Sequence, residues 1–390
     1  MSKLNILIIP SWYPNKKDPL WGNYFIKQAE ALSEYANVFM LHVERVGLKE
    51  INNYFNNKKS DGFTKKLYSF DFYKKTIINY KSINMDYAYK KYIKKGYKAY
   101  KDMIKYTGKP DVILVESIMP AGLIAKYIYE KEGIPYVIHA HSESIMTNPI
   151  YSSYVNPIME NAASYMAVNK SIKSIVNKKI NKECHLVPNY IDCSKFMLKN
   201  NRKDDNFVLL NVCNFYKVKA LDVLLKALNI VINKENYKNV KLKIVGTGEY
   251  KNYYESISNS LNLNNNVEFL GYIKNEELST IYRNADVLCV SSSFETFCIP
   301  IVEALSTGLP VITTDCVGPL EIVNNSNSIV TPIGDIEEYA KSIIKMIKNY
   351  SKYNKNDIRS YALSIYDKRV VCKKIIDILN KVVEKKHFNQ

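Results

Sequence analysis

Apolar runs of strand length alternate along this chain with amphipathic runs of helix length. "ILIIP" is followed by "GNYFIKQAEALSEY" and "VFMLHV"; further on, "DVILVES" is followed by "AGLIAKYIYEKEG" and "YVIHAH". This repeated strand–helix–strand pattern predicts a parallel sheet covered on both faces, whose strands read as continuous hydrophobic runs. A second series follows the polar stretch "MLKNNRKDDN" at residues 197–206: "FVLLNVC", "ALDVLLKALNIVIN", "VKLKIVGTG", "VEFLG", "DVLCVSS" and "PVITT", with amphipathic stretches between them. The α/β pattern therefore predicts two doubly wound domains, residues 1–200 and 201–365, followed by a C-terminal helix at 366–390 packing back on the first domain. Ligands of such sheets bind outside the carboxyl ends of the strands, which points to a cleft between the two halves. Residues 45–109 interrupt the first series with a Lys/Tyr/Asn-rich segment lacking clear strands, expected as inserted helices and loops.

Composition narrows the class. With 390 residues, 47% hydrophobic and 24% charged, the chain is a folded protein too long for one ordinary core. Seven widely spaced cysteines with no CxxC pair argue against a disulfide framework or a zinc site and favour a reducing cytoplasm. The N-terminus reads as a first buried strand and not as a signal peptide, and no run of about 20 apolar residues offers a membrane span. The net charge of +17 is uneven: residues 1–200 carry 30 Lys and Arg against 17 Asp and Glu, the remainder 25 against 21. A lysine-rich solvated face would account for this. Attraction to an anionic membrane surface would too, and the interleaved tyrosines suit that boundary. No recognition module accompanies the patch, so nucleic acid is not an expected partner.

The candidate chemistry lies in "SSSFETFCIPIVEALSTGLPVITTD", residues 291–315. A strand ends there, Pro300 suits a first helical turn, and Gly308 marks a helix end. Backbone N–H groups of the intervening loop, with the helix N-terminus behind them, make an anion and hydroxyl site. Glu295 projects from the loop, and Glu303 is expected in the first helical turn. Two acceptor-only carboxylates so placed can each grip vicinal hydroxyls. An isolated pair at this spacing would read as a helix-dipole carboxylate and a surface glutamate; the surroundings of this one change the reading.

Those surroundings resemble the signature of the retaining GT-B glycosyltransferases called family 4 or group 1, with its E-x7-E hallmark. The resemblance runs in order along nearly the whole chain, through "WYPNKKDPLWGNYFIKQAEAL", "YVIHAHS", "HLVPNYIDCSKF", "NVCNFYKVKALDVLLKAL", "LKIVGTGEY" and "VEFLGYIKNEELSTIYRNADV". It implies that Glu303 binds the nucleotide ribose and Glu295 the transferred sugar, helped by backbone amides at Phe297, Cys298 and Ile299. Lys219 resembles the lysine on the diphosphate, His141 the histidine beside the anomeric centre, and Gly22 the glycine that lets the first loop approach phosphate. Ile273 occupies the place whose backbone lies along the base. No cofactor is implied beyond the nucleotide-diphosphate-sugar donor.

The chain also departs from the pattern. Cys298 stands where the family has glycine, Ala220 replaces the glycine after the lysine, and Asn214 replaces an arginine. Asparagine cannot neutralise phosphate, so Lys217 or another cation substitutes, or the diphosphate is held less firmly. "GTG" at 246–248 reads as a tight turn, His139 as a structural residue pointing away from His141, and Cys298 as a binding-loop side chain without thiol chemistry. No D-x-D triplet nominates a metal site. The resulting expectation is a metal-independent, retaining transferase that moves a sugar to a hydroxyl acceptor, lipid-linked or oligosaccharide, in surface polysaccharide or glycoconjugate synthesis. It would be cytoplasmic, possible at the membrane inner face. A GT-B-like scaffold subunit with weakened turnover, or another GT-B enzyme such as a nucleotide-sugar epimerase, stays open.

Overall fold

The computed structural model describes residues 3–15, 22–80, 84–180, 182–199 and 206–388. The chain divides into two compact units: unit 1 is Met1–Val187 with Cys372–Gln390, and unit 2 is Pro188–Val371.

Unit 1 holds β1 (Asn5–Pro10), β2 (Asn37–Gly47), β3 (Gly62–Thr64), β4 (Asp71–Asn79), β5 (Val112–Glu116), β6 (Tyr136–Ala140), β7 (Ser164–Ala167) and β8 (Cys184–Leu186), in the order β3-β4-β2-β1-β5-β6-β7-β8. Every pairing is parallel except the short β3 on β4. The strands "ILIIP" and "VILVE" are buried along their length, as expected for a sheet covered on both faces.

The inserted segment differs from expectation. It contributes β3 and β4, and β4 pairs with β2 from Phe39↔Asp71 to Gly47↔Asn79. Its lysines obscure the strand in the sequence, yet each has an acidic partner: Lys74 lies 2.7 Å from Glu44 and Lys75 lies 3.0 Å from Asp61. Three helices of this unit matter below: α1 (Asn23–Ser33), α2 (Ile51–Lys58) and α3 (Met85–Thr107). Asn84 caps α3 by accepting from the Tyr87 N–H.

Unit 2 is a parallel sheet of β9 (Phe207–Val212), β10 (Val240–Val245), β11 (Val267–Gly271), β12 (Val287–Val290), β13 (Val311–Thr314) and β14 (Ser328–Thr331), in the order β11-β10-β9-β12-β13-β14. Alternation along β9 feeds two cores: Val208 and Leu210 pack into one, Leu209 into the other. The strand order reverses between β9 and β12, the point at which a doubly wound sheet opens a crevice for ligands.

Candidate active site

In unit 2 the loops leaving β9 and β12 carry most of the residues singled out in the sequence, and hydrogen bonds lace the two loops together. The Ser293 N–H donates to Val218 O at 2.7 Å, and the Ser291 hydroxyl donates to Lys219 O at 3.0 Å. Lys219 Nζ then reaches Glu295 Oε1 at 2.5 Å, and the Ser292 hydroxyl donates to the same oxygen at 3.0 Å. Burial alone would lower the Lys219 pKa, but the Glu295 carboxylate outweighs it and holds the ammonium above its ordinary range.

The helix after this loop spans Ile299–Ser306, so Glu303 stands in its second turn and not in the first as expected. Its Oε2 accepts from the Tyr282 hydroxyl at 2.8 Å. Burial, then the neighbouring Glu303 carboxylate, push the Tyr282 phenol well above its ordinary pKa, so it stays a donor. Phe297 and Cys298 are buried in the core against which Ile273 and Ile299 pack in part, while Asn214 and Lys217 are exposed. Burial, then Glu295, raise the Cys298 thiol well above its usual range, which leaves it protonated and a poor nucleophile.

The two substitutions of glycine carry a backbone consequence. Ala220 sits at φ 45° and Cys298 at φ 82°, each immediately before a helix and each in the left-handed region that side chains disfavour. Nearby glycines are needed for close approach. A Cβ on Gly318 would lie 2.6 Å from Phe297 N, and the Gly318 N–H donates to Glu295 O at 3.1 Å. A Cβ on Gly246 would lie 1.8 Å from Cys213 O, so "GTG" lets its turn pack on the loop after β9.

Unit 1 gathers a second polar cluster at its own reversal point, between β1 and β5. Glu116, the last residue of β5, is fully buried. Its Oε1 accepts from Gln28 Nε2 of α1 at 2.5 Å, and its Oε2 lies 2.7 Å from His141 Nε2 and 3.4 Å from His139 Nδ1. Burial by itself would raise the Glu116 pKa, but attraction to His139 and hydrogen bonds from both rings hold it down at about 2. The ionised carboxylate only accepts, so His141 carries its proton on Nε2.

His139 does not point away from His141 as expected. Residues two apart share a face of a strand, and both rings meet one carboxylate. His139 nonetheless has a packing role, its Nε2 lying 3.0 Å from Val187 O. One donor atom each from Glu116, His139 and His141 lie within 4.8 Å of one another, which is also a geometry able to receive a metal ion. Gly22 enters α1 at φ 79°, where a Cβ would lie 2.7 Å from Trp12 O. The rest of that first loop, residues 16–21, lies outside the described residues.

Sequence reasoning missed Glu116, Gln28, Ser292 and Tyr282. Glu116 alone left a signal, a carboxylate closing the apolar run "DVILVE". Among described residues, six non-glycine positions have positive φ, and Ser117, Ala220 and Cys298 border these two clusters. Strained backbone concentrates where function over-determines geometry.

Comparison with known proteins places this arrangement. Residues 194–362 match the family model described as Glycosyl transferases group 1. The alpha-monoglucosyldiacylglycerol synthase of Acholeplasma laidlawii is 25% identical over 323 residues, covering 71% of this chain and 79% of that one. The capsular polysaccharide biosynthesis glycosyltransferase CapM of Staphylococcus aureus is 27% identical over 273 residues, covering 64% and 69%. Against three uncharacterised glycosyltransferases, two from Methanocaldococcus jannaschii and one from Haemophilus influenzae, the chain spans less than two thirds of their length: 62%, 31% and 45%. The solved structure of Anabaena HepE in complex with UDP superposes with a TM-score of 0.72 at 16% identity, over 97% of this chain and 100% of that one. Residues 194–362, less than half of the chain, carry the match to the group 1 glycosyltransferases, and the chain has the GT-B fold of two Rossmann-like domains. No helix among the described residues is long and apolar enough to cross a membrane.

Proposed function

We propose that this protein transfers a glycosyl unit from a nucleoside diphosphate sugar to a hydroxyl of a lipid-linked acceptor, with retention of configuration and without a metal ion. The observation that carries the reading is the Lys219–Glu295–Ser292 cluster at the reversal point of unit 2, with Glu303 eight residues beyond Glu295 and held by Tyr282. As the bond between the anomeric carbon and the diphosphate oxygen breaks, negative charge develops on the leaving group. The Lys219 ammonium, kept charged, is suited to stabilise it. Retention requires the acceptor oxygen to bond to the anomeric carbon on the face the diphosphate leaves, and its proton passes to the departing diphosphate oxygen. Glu295 grips hydroxyls of the transferred sugar and Glu303 those of the ribose. His141, oriented by Glu116, serves the sugar, the role the family pattern gives it.

A lipid-linked acceptor is supported by a relative named for a glucosylated diacylglycerol, and a role in surface polysaccharide by one named for capsule synthesis. The basic first half of the chain supports action at an anionic membrane face, on the cytoplasmic side.

The test is a thermal-shift and hydrolysis screen against UDP-, GDP-, ADP- and dTDP-sugars in excess EDTA, starting with UDP-sugars because HepE was solved with UDP. A true donor at a hundredfold excess over Kd stabilises by about 2.7 kcal/mol, and Lys219→Ala abolishes its slow hydrolysis. Turnover only after magnesium is added contradicts the metal-free mechanism. Failure of every donor to bind favours the scaffold reading that Asn214 and Ala220 motivate.

A further inference from the structure

His139 lies in β6 and His141 just past its end, while Glu116 closes the neighbouring strand β5. The pairing Glu116↔His139 sets the carboxylate beside one ring, and the two-residue repeat of a strand brings the second ring to the same face. Three donor atoms, Glu116 Oε2, His139 Nδ1 and His141 Nε2, lie within 4.8 Å of one another. We propose that they form a binding site for a borderline divalent metal ion of the zinc class, whose occupancy takes His141 out of use and inhibits transfer. Only the inhibition depends on the function proposed above; the metal site stands on its own geometry.

Ligand type and spacing select the ion. Two imidazoles and one carboxylate are a set that zinc accepts, leaving a fourth position open. With metal–nitrogen bonds of about 2.0–2.1 Å, tetrahedral ligand atoms stand about 3.3 Å apart. The separations from Glu116 Oε2, 2.7 Å to His141 Nε2 and 3.4 Å to His139 Nδ1, fall on either side of that value. Magnesium and calcium prefer all-oxygen shells, so the two nitrogens disfavour them.

The residues behind the three ligands fit the same purpose. His139 Nε2 lies 3.0 Å from Val187 O, and because a carbonyl only accepts, that nitrogen carries a hydrogen. The buried Nδ1 is left facing Glu116 Oε2 at a separation longer than an ordinary hydrogen bond. A nitrogen lone pair and a carboxylate oxygen so placed need a cation between them, either a proton or a metal ion. On the other side, Gln28 Nε2 holds Glu116 Oε1 at 2.5 Å. A carbonyl behind a histidine and a donor behind a carboxylate are the partners that orient metal ligands. Glu116 and His139 are fully buried and the His141 side chain is 9% exposed, so His141 marks the side from which an ion enters.

Binding exchanges a proton for the metal at His141 Nε2. That nitrogen gives its hydrogen to solvent and its lone pair to the ion, and the neutral ring takes a hydrogen at Nδ1 instead. The nitrogen turned away from Glu116 thereby changes from acceptor to donor, and a divalent charge stands beside the sugar that His141 serves.

The experiment is a cobalt titration of the full, metal-free chain read by visible absorption, followed by displacement with zinc. One equivalent is expected to give ligand-field bands without the charge-transfer band of a cobalt thiolate, which separates this site from the buried cysteines. His139→Gln should weaken zinc binding about a hundredfold and Gln28→Ala about tenfold, with circular dichroism showing the fold of each. The Gln28 variant carries the test if the histidine variant does not fold. Absence of cobalt bands, a thiolate band, or unchanged affinity in the folded variants would each overturn the site. On the same samples zinc should slow donor hydrolysis at least tenfold and EDTA restore it, while magnesium at the same concentration leaves the rate unchanged. Equal inhibition by magnesium, or bound zinc without inhibition, would overturn the inhibition and leave the site. Absence of donor hydrolysis before any metal is added removes the transferase reading, and the cobalt titration still decides the site.

Discussion

Ala220 shows how much one missing hydrogen can matter. The family pattern has glycine at this position, and the structure supplies the reason: its backbone lies at φ 45° and ψ 42°, between Lys219 and the helix Leu221–Asn229. A side chain in that region costs about 1–2 kcal/mol. Ala220→Gly should relieve most of it, offset by the looser unfolded chain. The expected net gain is about 1 kcal/mol, or about 2–4 °C in Tm by calorimetry. A fall in Tm would mean that the strain is absent. A second single-residue prediction concerns His42. Its folded pKa lies near 3, below the ordinary 6.5. The native ring is therefore neutral while the unfolded ring takes a proton. The stability it contributes is complete above pH 6.5 and is lost, at about 1.4 kcal/mol per pH unit, as pH falls from 6.5 towards 3. Urea unfolding at pH 6 and pH 5 should show this slope reduced by that amount in His42→Phe; identical slopes would contradict a neutral buried His42.

Among the elements, α2 has the clearest division of labour. Asn53, Asn56 and Asn57 fall on one face, the face tied to Glu44, while Ile51 at 43% and Phe55 at 61% exposure fall on the other beside Lys58. A short helix with an apolar ridge flanked by lysine is suited to rest on an anionic bilayer. Phe55→Ser should reduce co-sedimentation with phosphatidylglycerol vesicles severalfold at low salt and leave donor binding unchanged. Equal sedimentation of the variant would remove α2 as the contact, and indifference to anionic lipid in the unaltered protein would remove membrane attachment altogether. The strand β4 carries a lesson about elements too. "DFYKKTIIN" hides a buried parallel strand because its lysines mimic a solvated surface. Pairing along β2 and the carboxylates of Glu44 and Asp61 supply partners that no local window contains.

Taken as one molecule, the chain was legible in the sequence to different depths. The alternation of buried runs and amphipathic stretches predicted two α/β series, and the E-x7-E segment pointed to the Glu295 loop and the helix carrying Glu303. These features are local: strand burial, proline at a helix start and glycine at its end are written in consecutive residues. The same holds for Lys219, carried by a motif of its own. The partners were another matter. Glu116 beneath His141, Tyr282 on Glu303 and Lys219 on Glu295 meet because β5 lies beside β6, the chain after β11 folds back on the helix after β12, and the loop after β9 lies against the loop after β12. The left-handed backbone at Ala220 and Cys298 likewise depends on where the following helix must start. Sequence thus determined which residues could do chemistry, since side-chain type and periodicity are properties of the chain itself. Packing decided which of them meet and in what protonation state, because hydrogen-bond distance and desolvation exist only once segments far apart in sequence are brought side by side.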